Sequence, residues 1–479
     1  MNKAAYQPAQ DILALGDAFY DVVEAARFPR HVLRFRNQRW AERVGLGDLT
    51  DAAWIDHFGR FQPLPGSLEQ PLALRYHGHQ FRVYNPEIGD GRGFLFAQLR
   101  DLADNRLLDL GTKGSGQTPY SRFGDGKLTL KGGVREVLAT EQLEALGVET
   151  SKSFSLIETG EALTRHDEPS PTRSSVLVRL SHSHIRYGTF QRLAYFGLAD
   201  EMIALTDYGL ARYVPGAPGP EAPLEERVAA LLDHAVRGAA RLAASYMAAG
   251  FVHGVLNTDN INITAESFDY GPWRFAPTYD LAFTAAYFDE YGLYAFGRQA
   301  EALHWNVYQL AKALLTIVPK EAMVPVLETF PEHFENALVA AIFARLGLQP
   351  AGDEQANLAL LQAMERFLID TGMGLERFYF DWYGGILSEA RREKSPAANT
   401  YAGEKAAPLR ALLPRFQPDA AARENLNHPY FADDAPCTLL IDEVEEIWSA
   451  IDERDDWGPF NDKIARIRRM GEAYGRTSS

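Results

Sequence analysis

The hydrophobic positions of this 479-residue chain recur in short runs near the N-terminus and at helical spacing further on. Residues 1–85 mix short apolar runs with Pro and Gly, which predicts an irregular extension packed on the body of the protein. The segment FLFAQLRDLADNRLLDLGTK, 94–113, reads as two strands joined at an Asp-Asn turn, with Lys113 closing the second. After the loop TPYSRFGDGK, the apolar positions of 133–147 fall at helical spacing and stop at Gly147, a C-cap signal. SVLVRL, 175–180, is a further short strand.

The run PGAPGPEAP, 215–223, breaks this pattern. It precedes an amphipathic helix over 225–250 whose Val228, Leu231, Leu232, Val236, Leu242 and Met247 share one stripe. Helices are also predicted over 300–318 and 355–372, a polar linker over 394–409, and helices near 440–452 and 462–473. No internal repeat or low-complexity tract interrupts them. The order, strands with one helix followed by helices, predicts an α+β protein; periodicity alone does not separate a protein-kinase-like, bilobal form from other α+β proteins, and the loop chemistry at 253–271 is what points to it. The expected division is an N-terminal extension (1–85), a strand-rich lobe with phosphate contacts (86–190), a helical lobe with a metal and catalytic loop (191–390) and a helical C-terminal tail (391–479).

Composition narrows the function classes. A hydrophobic share of 46% with 23% charged residues is that of a globular protein. The net charge of −16 argues against a broad surface for nucleic acid or anionic membrane, which needs clustered Lys and Arg. No run of apolar residues is long enough to span a bilayer, and the first residues lack the marks of a secretory or transit segment, so a cytoplasmic monomer is expected. Cys437 is the only cysteine, which excludes an intrachain disulfide and a cysteine-built metal site.

The chemistry concentrates at His253-Gly254-Val255-Leu256-Asn257-Thr258-Asp259-Asn260 and at Asp269-Tyr270-Gly271. A kinase catalytic loop runs His-Arg-Asp and, five residues past that Asp, an Asn that holds magnesium, with a separate Asp-Phe-Gly as second ligand. His253, Asn260 and Asp269 keep this spacing, but Val255 stands where the base should be and cannot accept a proton. Either nucleotide binds without turnover, or another carboxylate serves; Asp259 is the candidate.

Other candidates carry two readings each. Gly89-Asp90-Gly91-Arg92-Gly93 is either a hairpin turn or a close approach to phosphate. Lys113 and Glu136 are either solvated or a phosphate-holding pair, and their order relative to the metal loop favours the pair. Asp125-Gly126 is a turn or a nucleotide contact. Arg179, flanked by Val178 and Leu180, and Arg186 want an anion, carboxylate or phosphate. His182, His184 and His253 lack a fourth zinc ligand, and Ser181 and Ser183 lack a hydrolase elbow.

Together PLALRYHGHQFRVYNPEIGDGRG, LGTKGSGQTPYSRFGDGK, VREVLATE, SHSHIRYGTF and HGVLNTDNINI with DYGP resemble the selenoprotein O (SelO, YdiU) family over about residues 65 to 310. The resemblance implies a pseudokinase fold that binds ATP in inverted orientation and transfers AMP to hydroxyls of protein substrates. It implies Asp259 as proton acceptor, Asn260 and Asp269 as ligands of Mg²⁺ or Mn²⁺, and Gly89, Gly91, Arg92, Lys113, Asp125, Gly126, Arg179 and Arg186 around the nucleotide. Departures lie in 273–299, where Tyr279-Asp280 and Tyr-Ala-Phe-Gly remain but an Asn-His-Ser-Asp patch does not, and beyond about 390, where the lone Cys437 leaves no disulfide switch. The expected activity is protein adenylyl transfer to Ser, Thr or Tyr, with UTP as an alternative donor. A phosphotransferase and a silent nucleotide-binding scaffold are the competing readings. Val255 counts against the first; the complete set Lys113, Glu136, Asp259, Asn260 and Asp269 counts against the second.

Overall fold

A computed structural model describes residues 6–166 and 168–476. Its largest sheet is antiparallel throughout. The strands, in chain order, are β1 (Pro8–Ala9), β2 (Tyr20–Val22), β3 (Val32–Arg36), β4 (Leu72–Leu74), the separate hairpin β5 (Gly78–Gln80) and β6 (Val83–Asn85), then β7 (Leu95–Arg100), β8 (Leu107–Lys113), β9 (Leu128–Thr129), β10 (Lys152–Leu163) and β11 (Thr172–Ser181). Their spatial order is β2-β4-β7-β8-β11-β10-β3, with β1 on β7 and β9 on β11. The segment before residue 86, read from its sequence as irregular, therefore supplies strands at both edges of the sheet. Each of those strands is five residues or shorter and pairs far along the chain, so no local period announces it.

Alternation along the strands makes two cores. Leu108, Leu110, Val176, Val178 and Leu180 face Trp40 and Ala41 of α1 (Gln38–Arg43) and Trp54 and Phe58 of α2 (Asp51–Phe58). Leu107, Leu156 and Leu177 face the opposite way, onto Leu130, Val134, Val137 and Leu138 of α3 (Leu130–Ala145). Thr129 caps α3 by accepting from the Gly132 amide at 3.1 Å. Gly133 lets the helix lie close on the sheet: a Cβ there would come within 2.4 Å of Leu156.

The second core continues into helices α4 (Tyr187–Phe196), α5 (Ala199–Tyr213), α6 (Leu224–Ala249) and α7 (Gln299–Leu314). The stripe predicted on α6 is buried at Val228, Leu231, Leu232, Val236 and Leu242, and Gly250 ends the helix with φ 65°. The chain then forms the short pair β12 (Phe251–Val252) and β13 (Arg274–Phe275), between which lie residues 253–273. Further helices, Phe330–Leu346, Glu354–Thr371 and Leu375–Trp382, build a third core. The predicted linker at 394–409 contains short helical turns instead, because Tyr401, Ala406 and Leu409 have apolar cover there. Helices Ile441–Arg454 and Gly458–Ala473 follow, and the last of them returns to pack on α3. Among the described residues no helix is long and apolar enough to cross a membrane.

Candidate functional site

The two cores leave a cleft of about 780 Å³ between the sheet and the 253–273 segment. The β8–β11 register opens it: Lys113 pairs with Leu177 and Gly111 with Arg179, so both cations stand on the same face of the sheet. Lys113 is buried and forms a short ion pair with Glu136 of α3; its Nζ also lies 3.2 Å from Asp269 Oδ1. Arg179 donates to the same oxygen at 3.0 Å, and Arg186 approaches Asp269 Oδ2 at 3.7 Å. Arg186 also meets Asp90 Oδ1 at 3.1 Å and lies over the Tyr76 ring. Three buried cations thus converge on one carboxylate. Burial alone would raise the Asp269 pKa, yet Arg179, Lys113 and Arg186 hold it well below the usual carboxylate range.

The glycine loop forms one rim. Gly89 and Gly91 abut Tyr120: a Cβ would fall 2.5 Å from the ring at Gly89 and 2.8 Å from the carbonyl oxygen at Gly91. Arg92 lines the cleft beside them. Asp125 and Gly126 lie on the facing loop, where Asp125 pairs with Arg165 at 2.8 Å. Gly126 adopts φ 69° with no room for a side chain against Gly116. Phe123, on this loop, is fully exposed at the mouth.

Opposite stand Asp259, Asn260 and Asp269. His253 is buried and its Nε2 bonds the Phe268 carbonyl at 2.9 Å, tying the two ends of the segment together. Asn260 Nδ2 donates to the Val255 carbonyl at 2.8 Å, which turns Oδ1 away from that bond. Asp259 is buried, its Oδ1 lacks a hydrogen-bond partner, and Gln80 Nε2 approaches Oδ2 at 3.4 Å. Burial pushes its pKa up to about 6. A carboxylate so placed is a competent proton acceptor near neutral pH.

Among the described residues no three His, Cys, Asp or Glu side chains gather as a metal cage. Asn260 and Asp269 offer an amide and a carboxylate oxygen, which suits Mg²⁺ or Mn²⁺ held jointly with phosphate oxygens. Asn260 Oδ1, which takes no part in the Val255 bond, fits that use, and the unpartnered Asp259 Oδ1 remains to accept a proton.

Every residue expected to serve as base, metal ligand or nucleotide contact borders this cleft except Glu136, which reaches it through Lys113; His182, His184, His253, Ser181 and Ser183 do not line it. Sequence reasoning missed Tyr76, Gln80 and Phe268, and it named Asp90 only as part of the glycine run, not as a partner of Arg186. A signal existed for Asp90, a carboxylate inside a glycine run; none existed for Gln80, which lies 179 residues from the group it touches.

A family model described as protein adenylyltransferase SelO matches residues 1–468. A protein nucleotidyltransferase YdiU of Synechocystis sp. is 42% identical over 481 residues, covering 97% of this chain and 98% of the relative. That of Gloeobacter violaceus is 45% identical over 476 residues, covering 97% and 95%. That of Trichodesmium erythraeum is 42% identical over 473 residues, covering 96% and 98%. With a match of that extent, and with cations, carboxylates and glycine loops gathered at one cleft, the chain belongs to the SelO family and is a nucleotidyltransferase.

Proposed function

We propose that the chain is a protein adenylyltransferase that moves AMP from ATP to Ser, Thr or Tyr hydroxyls of other proteins and releases pyrophosphate. The strand-rich part with α3 and the helical part from α4 onward then correspond to the two lobes of a kinase-like frame, with ATP inverted relative to a kinase. The observation that carries the reading is the pairing of Val255 with Asp259. The kinase base position is apolar, while a buried carboxylate four residues on faces the cationic wall of the same cleft.

In this reading the acceptor hydroxyl attacks the α-phosphorus as Asp259 takes its proton. The bond from the α-phosphorus to the bridging oxygen breaks, and pyrophosphate departs. Lys113, Arg92, Arg179 and Arg186 offset the charge that develops on the phosphates, with Glu136 fixing Lys113. Gly89, Gly91 and Gly126 keep the rims bare enough for backbone to approach phosphate, and Asp125 borders the nucleotide. A divalent cation, held by Asn260 and Asp269, would neutralise phosphate charge.

Incubating the chain with ATP, Mg²⁺ or Mn²⁺ and an acceptor protein, then weighing the intact acceptor, tests the proposal. An increment of one AMP with one pyrophosphate released per adduct is expected. An increment of one phosphate overturns it in favour of phosphotransfer, and UTP in place of ATP measures donor choice.

A further inference from the structure

The hairpin β5–β6 directly precedes the glycine loop of one rim, and it grips the loop on the other side that carries Asp259. Three successive residues of that loop are engaged by three successive residues of the hairpin. Asn257 Oδ1 accepts from the Phe81 amide at 3.0 Å, Thr258 Oγ1 from the His79 amide at 2.6 Å, and Asp259 Oδ2 from Gln80 Nε2 at 3.4 Å. Thr258 Oγ1 in turn donates to Gln191 Oε1 at 2.7 Å, and the Gln191 amide meets His79 Nδ1 at 2.8 Å, which closes a ring of hydrogen bonds.

The turn of this hairpin is built at a cost. Gln80 pairs with Val83, so Phe81 and Arg82 form a two-residue turn, and both have positive φ, 50° and 63°, in a position that favours Asn and Gly. The Phe81 ring is held against Tyr294 at 5.1 Å and Phe288 at 5.8 Å. The amide of Gln80 is itself oriented: Asn85 Nδ2 donates to Gln80 Oε1 at 3.2 Å, so the NH₂ end is the one that faces Asp259. Gly78 completes the contact, since a Cβ there would lie 3.1 Å from Asp259 Oδ1.

From this geometry we propose that Gln80 is a positioning residue for transfer. Its amide, fixed by Asn85, sets the direction in which the Asp259 carboxylate presents its remaining oxygen to the acceptor hydroxyl. The inference rests on Asp259 being the proton acceptor. Gln80 contributes no proton and no ligand to phosphate; it removes alternative orientations of a group that has no other side-chain donor on Oδ2 among the described residues.

The test compares steady-state AMP transfer by Gln80→Met, which keeps length and loses the amide, and by Asn85→Leu, which lets the amide turn. Both are expected to lower kcat roughly 10- to 100-fold with KM for ATP and Tm near wild type. A merely structural role would lower Tm or raise KM in parallel. Gln80→Met with kcat within about twofold of wild type, or with KM for ATP rising as far as kcat falls, overturns the assignment. Asp259→Ala separates the layers. If that variant is inactive while Gln80→Met is fully active, only the role of Gln80 falls; if Asp259→Ala transfers normally, the base assignment falls and takes this inference with it.

Discussion

Two charge clusters sit at opposite ends of the Lys113–Glu136–α3 unit, and they are solved differently. Where the C-terminal helix Gly458–Ala473 meets α3, charges close on each other. Glu141 accepts from Nε and Nη2 of Arg468 at 2.7 and 2.8 Å, and from Arg39 and Asn37 at 3.3 Å each. Glu144 is held by Arg39 at 2.8 Å, by the Trp40 indole at 2.9 Å and by Lys152 at 3.4 Å. In the cleft, three cations share Asp269 and an oxygen of buried Asp259 has no partner. The first arrangement is complete without anything else present. The second has cation capacity to spare on one wall and acceptor capacity on the other, which is the arrangement a polyphosphate and its cation would complete.

The contrast breaks most visibly at Asp259. Asp259→Ala should reduce AMP transfer by about 10²-fold or more while ATP binding and thermal unfolding stay near wild type. Full activity in a transfer assay would remove it from the base role. Asp269→Ala comes next, with metal-dependent ATP affinity falling roughly 10-fold or more in a titration with and without Mg²⁺. Unchanged affinity would exclude it as a ligand.

At the closed cluster the signs reverse. Arg468→Ala should cost about 3 kcal/mol in urea unfolding, since it strips a buried carboxylate of its bidentate partner, with transfer per folded molecule within about threefold. A large loss of rate at unchanged stability would show that the C-terminal helix acts on the cleft.

The smallest effect concerns pH. Burial raises the Glu144 pKa, but Lys152, Arg39 and Trp40 bring it down to about 2. Because that lies below its unfolded value, its contribution is present above about pH 4.5 and is lost as pH falls toward 2. Glu144→Gln should flatten the stability profile across that window by roughly 2 kcal/mol, and an unaltered profile would contradict the pairing.

What the sequence disclosed follows from range. The hairpin at 94–113 and the helix at 225–250 were legible because turn chemistry and periodicity act within a few residues, and the structure places β7, β8 and α6 there. β10 was not, because the buried polar residues Ser153, Ser155, Glu158 and Thr159 interrupt its apolar positions, and the strand is defined by pairing with β3 and β11. Helices α4 and α5 escaped because their buried Tyr, Gly, Thr and Gln residues blur a hydrophobic stripe. The site residues were legible as motifs but not as a constellation. That Arg186 bridges Asp90 and Asp269, or that Gln80 reaches Asp259, depends on contacts spanning roughly 80 to 180 residues, which only the folded chain supplies.

The central claim is that this cleft transfers the α-phosphoryl group with its nucleoside, through Asp259. The most direct measurement incubates wild type and Asp259→Ala with an acceptor protein, Mg²⁺ or Mn²⁺, and ATP labelled on either the α- or the γ-phosphate, and counts protein-bound label. Label from the α-position alone, present with wild type and absent with the variant, is the predicted result; label from the γ-position would contradict the account.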